Sequence, residues 1–176
     1  MTDSDLQSTE SYVDDKGRTR WRCNDAVAKK LQQLHDYLVI GNYDASPAAD
    51  YPRLALTISR HPESLLVMHE EGRLAELLGV STTASMVIGQ FLRSGTGQKM
   101  NRLGKNFLPV PKSVLELTEI PQLGAKTAKS LFQDHGIDGL VALKKSLDAG
   151  ELQAIRGIGP AMIEAIQKHL EEHKAE

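Results

Sequence analysis

The run Gly157-Ile158-Gly159-Pro160 constrains this 176-residue chain more than any other stretch. Glycine adopts backbone angles that other residues avoid, and proline fits the first turn of a helix, where the amide has no partner in any case. Apolar residues then recur at helical spacing as far as about Glu172. The run therefore predicts a tight turn that opens a helix. The backbone amides gathered there, together with the helix dipole, would suit an anion such as phosphate.

The same turn is encoded three times, in segments that we call the first, second and third hairpins: residues 74–84, 117–128 and 152–163. The second hairpin has Gln122 in place of the first glycine, and the first has Ser81 in place of the second. A repeated pattern is harder to obtain by accident than a single copy. It is the signature of the helix-hairpin-helix motif, which predicts DNA binding without sequence specificity. An ordinary helix-to-helix turn is the alternative for any single copy.

Composition and periodicity predict an all-α fold: a small helical bundle followed by a helix-hairpin-helix domain. Aromatic residues make up only 5% of the chain, and no segment alternates as a strand should. Residues 1–22 are polar, acidic and then basic, and we expect them to be disordered. The prolines near residues 108–112 predict a domain boundary there. No apolar run could span a bilayer or serve as a signal-peptide core, so the chain is expected to be cytoplasmic, associated with the nucleoid, and without a membrane partner.

The charge distribution is more informative than the formal net charge of −2. No acidic residue occurs between Glu76 and Glu116, while five basic residues do: Arg93, Lys99, Arg102, Lys105 and Lys112. A second basic run, residues 16–22, surrounds Trp21. Local basic stripes neutralise phosphate, whatever the net charge. Random clustering of surface lysines is the alternative explanation.

The residues that usually bind metals or form disulfides are sparse. Cys23 is the only cysteine, which excludes an internal disulfide, and we expect it to be buried and inert. His169 and His173 stand four residues apart, but their acidic neighbours on a terminal helix predict a solvated face rather than a metal site.

The order of these parts resembles the amino-terminal half of family X (polymerase beta-like) DNA polymerases of the bacterial type, without the palm. The similarity is strongest in Ile120-Pro121-Gln122-Leu123-Gly124-Ala125-Lys126-Thr127-Ala128 and in Phe132-Gln133-Asp134-His135-Gly136-Ile137. The resemblance implies a lyase-like helical domain over residues 23–107 and a fingers-like domain over residues 108–176. The first would contain one hairpin and the second two.

The resemblance also implies how each hairpin would bind DNA. Backbone amides would hold phosphates in the third hairpin (Gly157, Gly159, Ala161, Met162), the second (Gly124, Lys126, Thr127) and the first (Gly79, Ser81, Thr83). Carbonyl oxygens of Gln153, Ile155, Ile158, Thr118, Ile120 and Leu123 would bind Na⁺ or K⁺, and no other cofactor is required. Long-range attraction would come from Lys129, Arg156, Lys126, Arg93, Lys99, Arg102 and Lys105.

The same comparison argues against catalysis, so no catalytic residue is assigned. Lyase chemistry needs a lysine amine to form a Schiff base, and the matching positions hold Val87, Thr83 and Pro47. Polymerisation needs palm carboxylates that hold magnesium, and the sequence contains no such pairing.

We therefore expect a non-enzymatic module in DNA repair or replication that binds double-stranded, nicked or gapped DNA. The alternatives are a polymerase fragment that lacks its palm, a protein-interaction scaffold with a protein partner, and a residual lyase that uses Lys99 or Lys105.

Overall fold

A computed structural model describes residues 3–43, 49–77, 79–95 and 108–173. This part of the chain is mostly helical, as the composition predicts. It contains eight α-helices: α1 (Arg22–Ile40), α2 (Tyr51–Ser59), α3 (Leu65–Glu70), α4 (Thr82–Ser94), α5 (Lys112–Glu116), α6 (Ala125–His135), α7 (Leu140–Asp148) and α8 (Pro160–Glu172). Single turns of 3-10 helix cover Asp3–Gln7, Leu74–Glu76, Leu117–Glu119 and Glu151–Ala154. None of the helices in these ranges is long and apolar enough to cross a bilayer.

The amino-terminal segment differs from the predicted disordered tail. Strands β1 (Ser11–Val13) and β2 (Thr19–Trp21) form an antiparallel ribbon in which Tyr12 faces Arg20. The Asp14 carboxylate accepts hydrogen bonds from the Arg18 amide at 3.0 Å and from the Arg20 side chain at 3.0 Å. These bonds, that of the Arg18 amide above all, hold the pKa of Asp14 well below its usual range. The acidic and basic residues that suggested disorder instead pair with each other.

Contacts with residues far along the chain also order this segment. Leu6 is 1% exposed, and the Gln7 side-chain amide donates a hydrogen bond to the Leu92 carbonyl. The Trp21 indole donates to the Pro62 carbonyl at 2.9 Å. The expectation of disorder was therefore wrong for residues 3–21. A local sequence pattern could not show this, because the contacts are with residues far away in sequence.

The chain divides into two compact units. The first consists of residues 1–35 and 45–102, and the second of residues 36–44 and 103–176. In the first unit the buried Asn24 side chain accepts a hydrogen bond from the Leu65 amide at 2.8 Å and donates to the Glu63 carbonyl at 2.9 Å. Cys23 beside it is fully buried, as predicted.

The second unit is built around the two later hairpins. Its core contains Leu117, Ile120, Leu123, Leu152, Ile155 and Ile158 from the hairpins, and Ala128, Leu131, Leu143, Ile166 and Leu170 from α6, α7 and α8. Ile40, at the end of α1, is fully buried in the same cluster, and its carbonyl accepts a hydrogen bond from the Gln133 side chain at 2.6 Å. The last turn of α1 therefore belongs to this unit, whereas the predicted domain of residues 23–107 would have kept all of α1 in the first.

Candidate nucleic-acid interface

The three hairpins share one pattern of backbone hydrogen bonds. Each hairpin contains a turn of 3-10 helix that ends with a hydrogen bond from an amide to the carbonyl three residues earlier. The donors are Leu77, Ile120 and Ile155, and the distances are 3.4, 3.2 and 3.1 Å, respectively. A second bond follows, from the amides of Val80, Leu123 and Ile158 to the carbonyls of Leu77, Ile120 and Ile155, at 3.2, 3.0 and 3.1 Å. The repeat seen in the sequence is therefore also a repeat of backbone geometry.

The position of the first glycine lies in the left-handed region in all three turns. The φ angle is +75° at Gly79, +70° at Gln122 and +94° at Gly157. A residue with a Cβ atom is disfavoured there by about 1–2 kcal/mol, so Gln122 is strained. It nevertheless adopts the same conformation, and the departure from glycine does not change the turn.

The position of the second glycine behaves differently. Ser81, Gly124 and Gly159 have φ angles of −71°, −84° and −96° with ψ angles of 158°, 173° and 174°, which any residue can adopt. A Cβ atom placed on Gly124 or Gly159 would meet nothing within 4 Å apart from its chain neighbours. The fold therefore does not need glycine at either position. The missing side chain leaves open space in front of the helix, where a ligand can approach the backbone closely.

The first turn of each following helix leaves amides without partners. In the described part of the chain, the predicted amides of the second hairpin (Gly124, Lys126, Thr127) and of the first (Gly79, Ser81, Thr83) have no backbone or side-chain acceptor, and neither do Gly157, Gly159 and Ala161 of the third. Met162 differs from its prediction, because its amide donates to the Gly159 carbonyl at 3.0 Å. We call each set of unpaired amides a cradle and leave Met162 out of the third cradle.

The first cradle is partly closed by its own side chain. The Ser81 hydroxyl accepts a hydrogen bond from the Ala84 amide at 3.2 Å, as an N-cap residue does. The corresponding positions of the other hairpins are Gly124 and Gly159, which have no side chain to play this part.

Four predicted basic residues lie in the described ranges. Lys126, Arg156 and Arg93 are exposed and Lys129 is half-buried. Within the described part of the chain none of them has a carboxylate within 4.0 Å, in contrast to Lys112, Lys144 and Lys168. Their charges are therefore available to a ligand. Lys99, Arg102 and Lys105 lie outside the described residues.

The predicted cation ligands are carbonyl oxygens, which is the donor type that Na⁺ and K⁺ accept. The carbonyls of Ile120 and Ile155 each already accept one hydrogen bond within their hairpin, which leaves one lone pair. Among the described residues, no cluster of three His, Cys, Asp or Glu side chains could hold a metal ion.

A cavity of about 100 Å³ adjoins the first cradle within the first unit. Its lining includes Gly79, Ser81 and Thr83 from the hairpin and Tyr51 and Arg53 from α2. The guanidinium of Arg53 is 3.6 Å from Asp50, and both side chains are exposed. Arg53 was not among the predicted site residues, and its position beside the first hairpin is seen only in the structure.

The three positions at which the resemblance would place a lyase amine hold no residue with a side-chain amine. Val87 is half-buried on α4 and Thr83 is exposed at the start of the same helix. Pro47 lies outside the described residues.

One prediction about the terminal helix was wrong. His169 is only 8% exposed and is not part of a solvated face. Its ring stacks on that of His173, with the ring centroids 4.0 Å apart. Burial, and then the neighbouring His173, lower the pKa of His169.

Comparison with known proteins gives a distant relative. Over 146 residues the chain is 21% identical to the DNA polymerase/3'-5' exonuclease PolX of Bacillus subtilis (strain 168). The chain is distantly similar to PolX. The match covers 83% of this chain and 25% of PolX, so the chain spans about a quarter of the length of that relative. No family model matches the chain. The similarity supports a PolX-like region, at the level of the family, over most of the chain.

Proposed function

We propose that this chain binds DNA through the cradles of its hairpins, without reading the base sequence. The observation that carries the proposal is the repeated turn, which leaves amides unpaired at the start of three helices and, at Gly124 and Gly159, has no side chain in front of them. The similarity to a protein named as a DNA polymerase and exonuclease supports DNA as the ligand.

Phosphate oxygens would accept hydrogen bonds from the cradle amides, where the helix dipole favours a negative charge. Lys126, Lys129 and Arg156 would attract the phosphate backbone over a longer range. A contact made by backbone amides to phosphates positions the DNA but carries no base information. In this proposal the chain binds intact, nicked or gapped duplex DNA and acts in DNA repair or replication. Na⁺ or K⁺ bound to the hairpin carbonyls would offset part of the phosphate charge.

The three cradles would not contribute equally. The second and third are open at Gly124 and Gly159, whereas a phosphate at the first must compete with the Ser81 hydroxyl for the Ala84 amide. The first has a guanidinium nearby instead, from Arg53. In this proposal the second and third cradles hold the DNA backbone, and no residue forms a covalent intermediate with it.

The substitution Gly159→Val tests the proposal. The φ angle of Gly159 and the open space around it allow a side chain at this position. We therefore expect the free energy of unfolding to change by about 1 kcal/mol or less. The side chain would block the approach of a phosphate. Since a hydrogen bond to a charged group is worth about 1.5–3 kcal/mol, the dissociation constant for duplex DNA should rise about tenfold or more.

The measurement is fluorescence anisotropy with intact, nicked and gapped duplexes of about 20 base pairs at fixed salt, because affinity for DNA depends on salt. Ala149→Val, at the exposed end of α7, is the control and should bind like the wild type. A folded Gly159→Val variant with wild-type affinity for all three DNAs would overturn the proposal.

A further inference from the structure

A groove of about 430 Å³ lies between α7 and α8 within the second unit. None of the residues that line it belongs to a predicted cradle, so the proposed DNA contacts leave the groove without a role. Its lining includes Leu140, Val141, Lys144 and Lys145 from α7, and Leu170 and His173 from the carboxyl-terminal end of α8.

The apolar part of the groove is formed by Leu140, Val141 and Leu170. Val141 is 88% exposed, the largest exposed fraction of any large apolar side chain in the described ranges. Leu140 and Leu143 pack in or against the core of the second unit, whereas Val141 lies on another face of α7, outside that core. Valine is also a weaker helix former than lysine or glutamate. Neither core packing nor helix stability therefore accounts for Val141.

A single exposed apolar residue on a protein surface is ordinary. Val141 is not isolated, because it shares one concave surface with Leu140 and with Leu170 of the neighbouring helix. A contiguous apolar surface with polar residues at its edge is typical of a site where another protein binds.

The charges at the edge of the groove do not cancel. The Lys144 ammonium donates a hydrogen bond to the Asp148 carboxylate at 2.6 Å, so these two charges offset each other. Lys145 is exposed, and within the ranges that the structure describes it has no carboxylate within 4.0 Å. Its ammonium leaves the groove with an uncompensated positive charge. A complementary occupant has an aliphatic side chain with a carboxylate beside it.

DNA is a poor occupant of this groove, although it is also negatively charged. Binding to the phosphate backbone relies on several cations, and among the described lining residues Lys145 is the one lysine without a carboxylate partner. Nucleobases stack on aromatic rings. The ring of His173 is already stacked on that of His169, with the ring centroids 4.0 Å apart. The aliphatic surface of the groove is better matched by an aliphatic side chain.

We infer that this groove binds an acidic, leucine-containing segment of a partner protein. A leucine side chain would pack between Val141 and Leu170, and a neighbouring carboxylate would pair with Lys145. A groove between two packed helices commonly receives a segment that presents its apolar side chains along one face. The groove and the cradles share no residue, so a partner and DNA would be held through different parts of the second unit.

The probe for the test is the blocked peptide Glu-Glu-Leu-Leu-Glu-Glu, titrated into the full chain while the methyl NMR signals of Leu140 are followed. We expect these signals to shift saturably. Replacing both leucines of the peptide by serine should weaken binding at least about tenfold, because the apolar contact is lost. Replacing its glutamates by lysine should weaken binding at least about fivefold, because the charges then repel Lys145. No saturable shift with the acidic leucine peptide would overturn the inference, and so would equal binding of all three peptides.

A first pair of variants tests the apolar contact. Val141→Ser removes an exposed apolar side chain that lines the groove, while Met86→Ser removes one from α4 that does not. Both positions are exposed, so both variants should fold. The acidic leucine peptide should bind at least about fivefold more weakly to Val141→Ser and normally to Met86→Ser.

A second pair tests the charge. Lys145→Gln removes the ammonium at the edge of the groove, while Lys112→Gln removes an exposed ammonium of α5. The peptide should bind about threefold more weakly to Lys145→Gln, since an ion pair at the surface is a modest contribution, and normally to Lys112→Gln. Equal weakening by the two members of either pair would mean non-specific attraction and would overturn the inference.

Other occupants of the groove would be recognised in the same experiment. Leu140 signals that change with the concentration of the chain alone would assign the groove to a second copy of this chain and overturn the inference. A stronger shift with a single-stranded oligonucleotide than with the peptide would assign it to nucleic acid and would also overturn it. The peptide titration contains no DNA, so its result is independent of the Gly159→Val experiment.

Discussion

The hydroxyl of Ser81 accepts a hydrogen bond from the amide of Ala84 at 3.2 Å, and so occupies a donor that is next to the first cradle. The residues at the same position of the other two hairpins are Gly124 and Gly159, which have no side chain. Three turns with one backbone geometry therefore differ in how accessible their amides are.

Ser81→Ala should lower the free energy of unfolding by about 1 kcal/mol, because it removes the helix cap. It should also make stability more sensitive to sulfate, since an anion can then bind the released Ala84 amide. Urea denaturation with and without sulfate, at matched ionic strength, measures both effects. Ser94→Ala, at the other end of α4, is the control and should show the wild-type response to sulfate. The same sulfate response in Ser81→Ala and wild type would contradict the prediction.

Gln122→Gly should stabilise the second unit. The residue has a φ angle of +70°, which costs a side chain about 1–2 kcal/mol and glycine nothing, while the greater freedom of glycine in the unfolded chain offsets up to about 1 kcal/mol. A net gain of about 0.5–1 kcal/mol is expected in urea denaturation. The matched control is Gln153→Gly, whose backbone has no positive φ and which should lose about 0.5–1 kcal/mol. A loss of stability in both variants would show that Gln122 is not strained.

The free energy of unfolding should decrease as the pH is lowered from neutral to mildly acidic, because of His169. In the unfolded chain a histidine takes up a proton near pH 6.5, but in the folded chain burial lowers the pKa of His169. The unfolded state then binds more protons, so the free energy of unfolding is highest above about pH 6.5 and decreases as the pH falls towards the folded pKa.

Unfolding free energies at about pH 7.5 and about pH 5.5 bracket this window. The decrease should be smaller in His169→Gln than in wild type, whereas His135→Gln, at an exposed position, should keep the wild-type decrease. An identical decrease in all three proteins would rule out His169 as its source.

The affinity for DNA should fall steeply with salt. The logarithm of the binding constant decreases in proportion to the number of phosphates neutralised, with a coefficient of about 0.9 each for duplex DNA. Lys126→Gln should reduce this slope by about 1 and weaken binding equally for unrelated sequences. Lys144→Gln is the control, because Lys144 already pairs with Asp148 at 2.6 Å. Affinity that stays constant between low and moderate salt would contradict phosphate binding altogether.

The sequence predicted the last helix closely. This helix, Pro160–Glu172, begins at the proline and ends where the apolar spacing was expected to end. The amino-terminal ribbon could not be predicted in this way. Its strands have three residues each, too few for a periodic pattern, and hydrogen bonds from the side chains of Gln7 and Trp21 hold the segment to Leu92 and Pro62, more than 40 positions away.

The candidate site was predicted from its turns and not from its surroundings. The resemblance to family X polymerases implied which amides would hold phosphates, and in the described part of the chain these amides are unpaired apart from that of Met162. Nothing in the sequence indicated that Arg53 would lie beside the first cradle or that the acidic residues near His169 would line a cleft rather than a solvated face. Both depend on which helices pack together.

Local preferences along the chain were enough to predict where it turns and that it folds into helices, because the backbone angles of glycine and proline and the helical spacing of apolar residues involve only a few neighbouring residues. Three features depend on the fold instead: the end of α1 joins the second unit, His169 is buried, and Ser81 partly closes one cradle while two stay open. Burial and side-chain pairing need contacts between residues far apart in the chain, and local preferences do not specify those contacts.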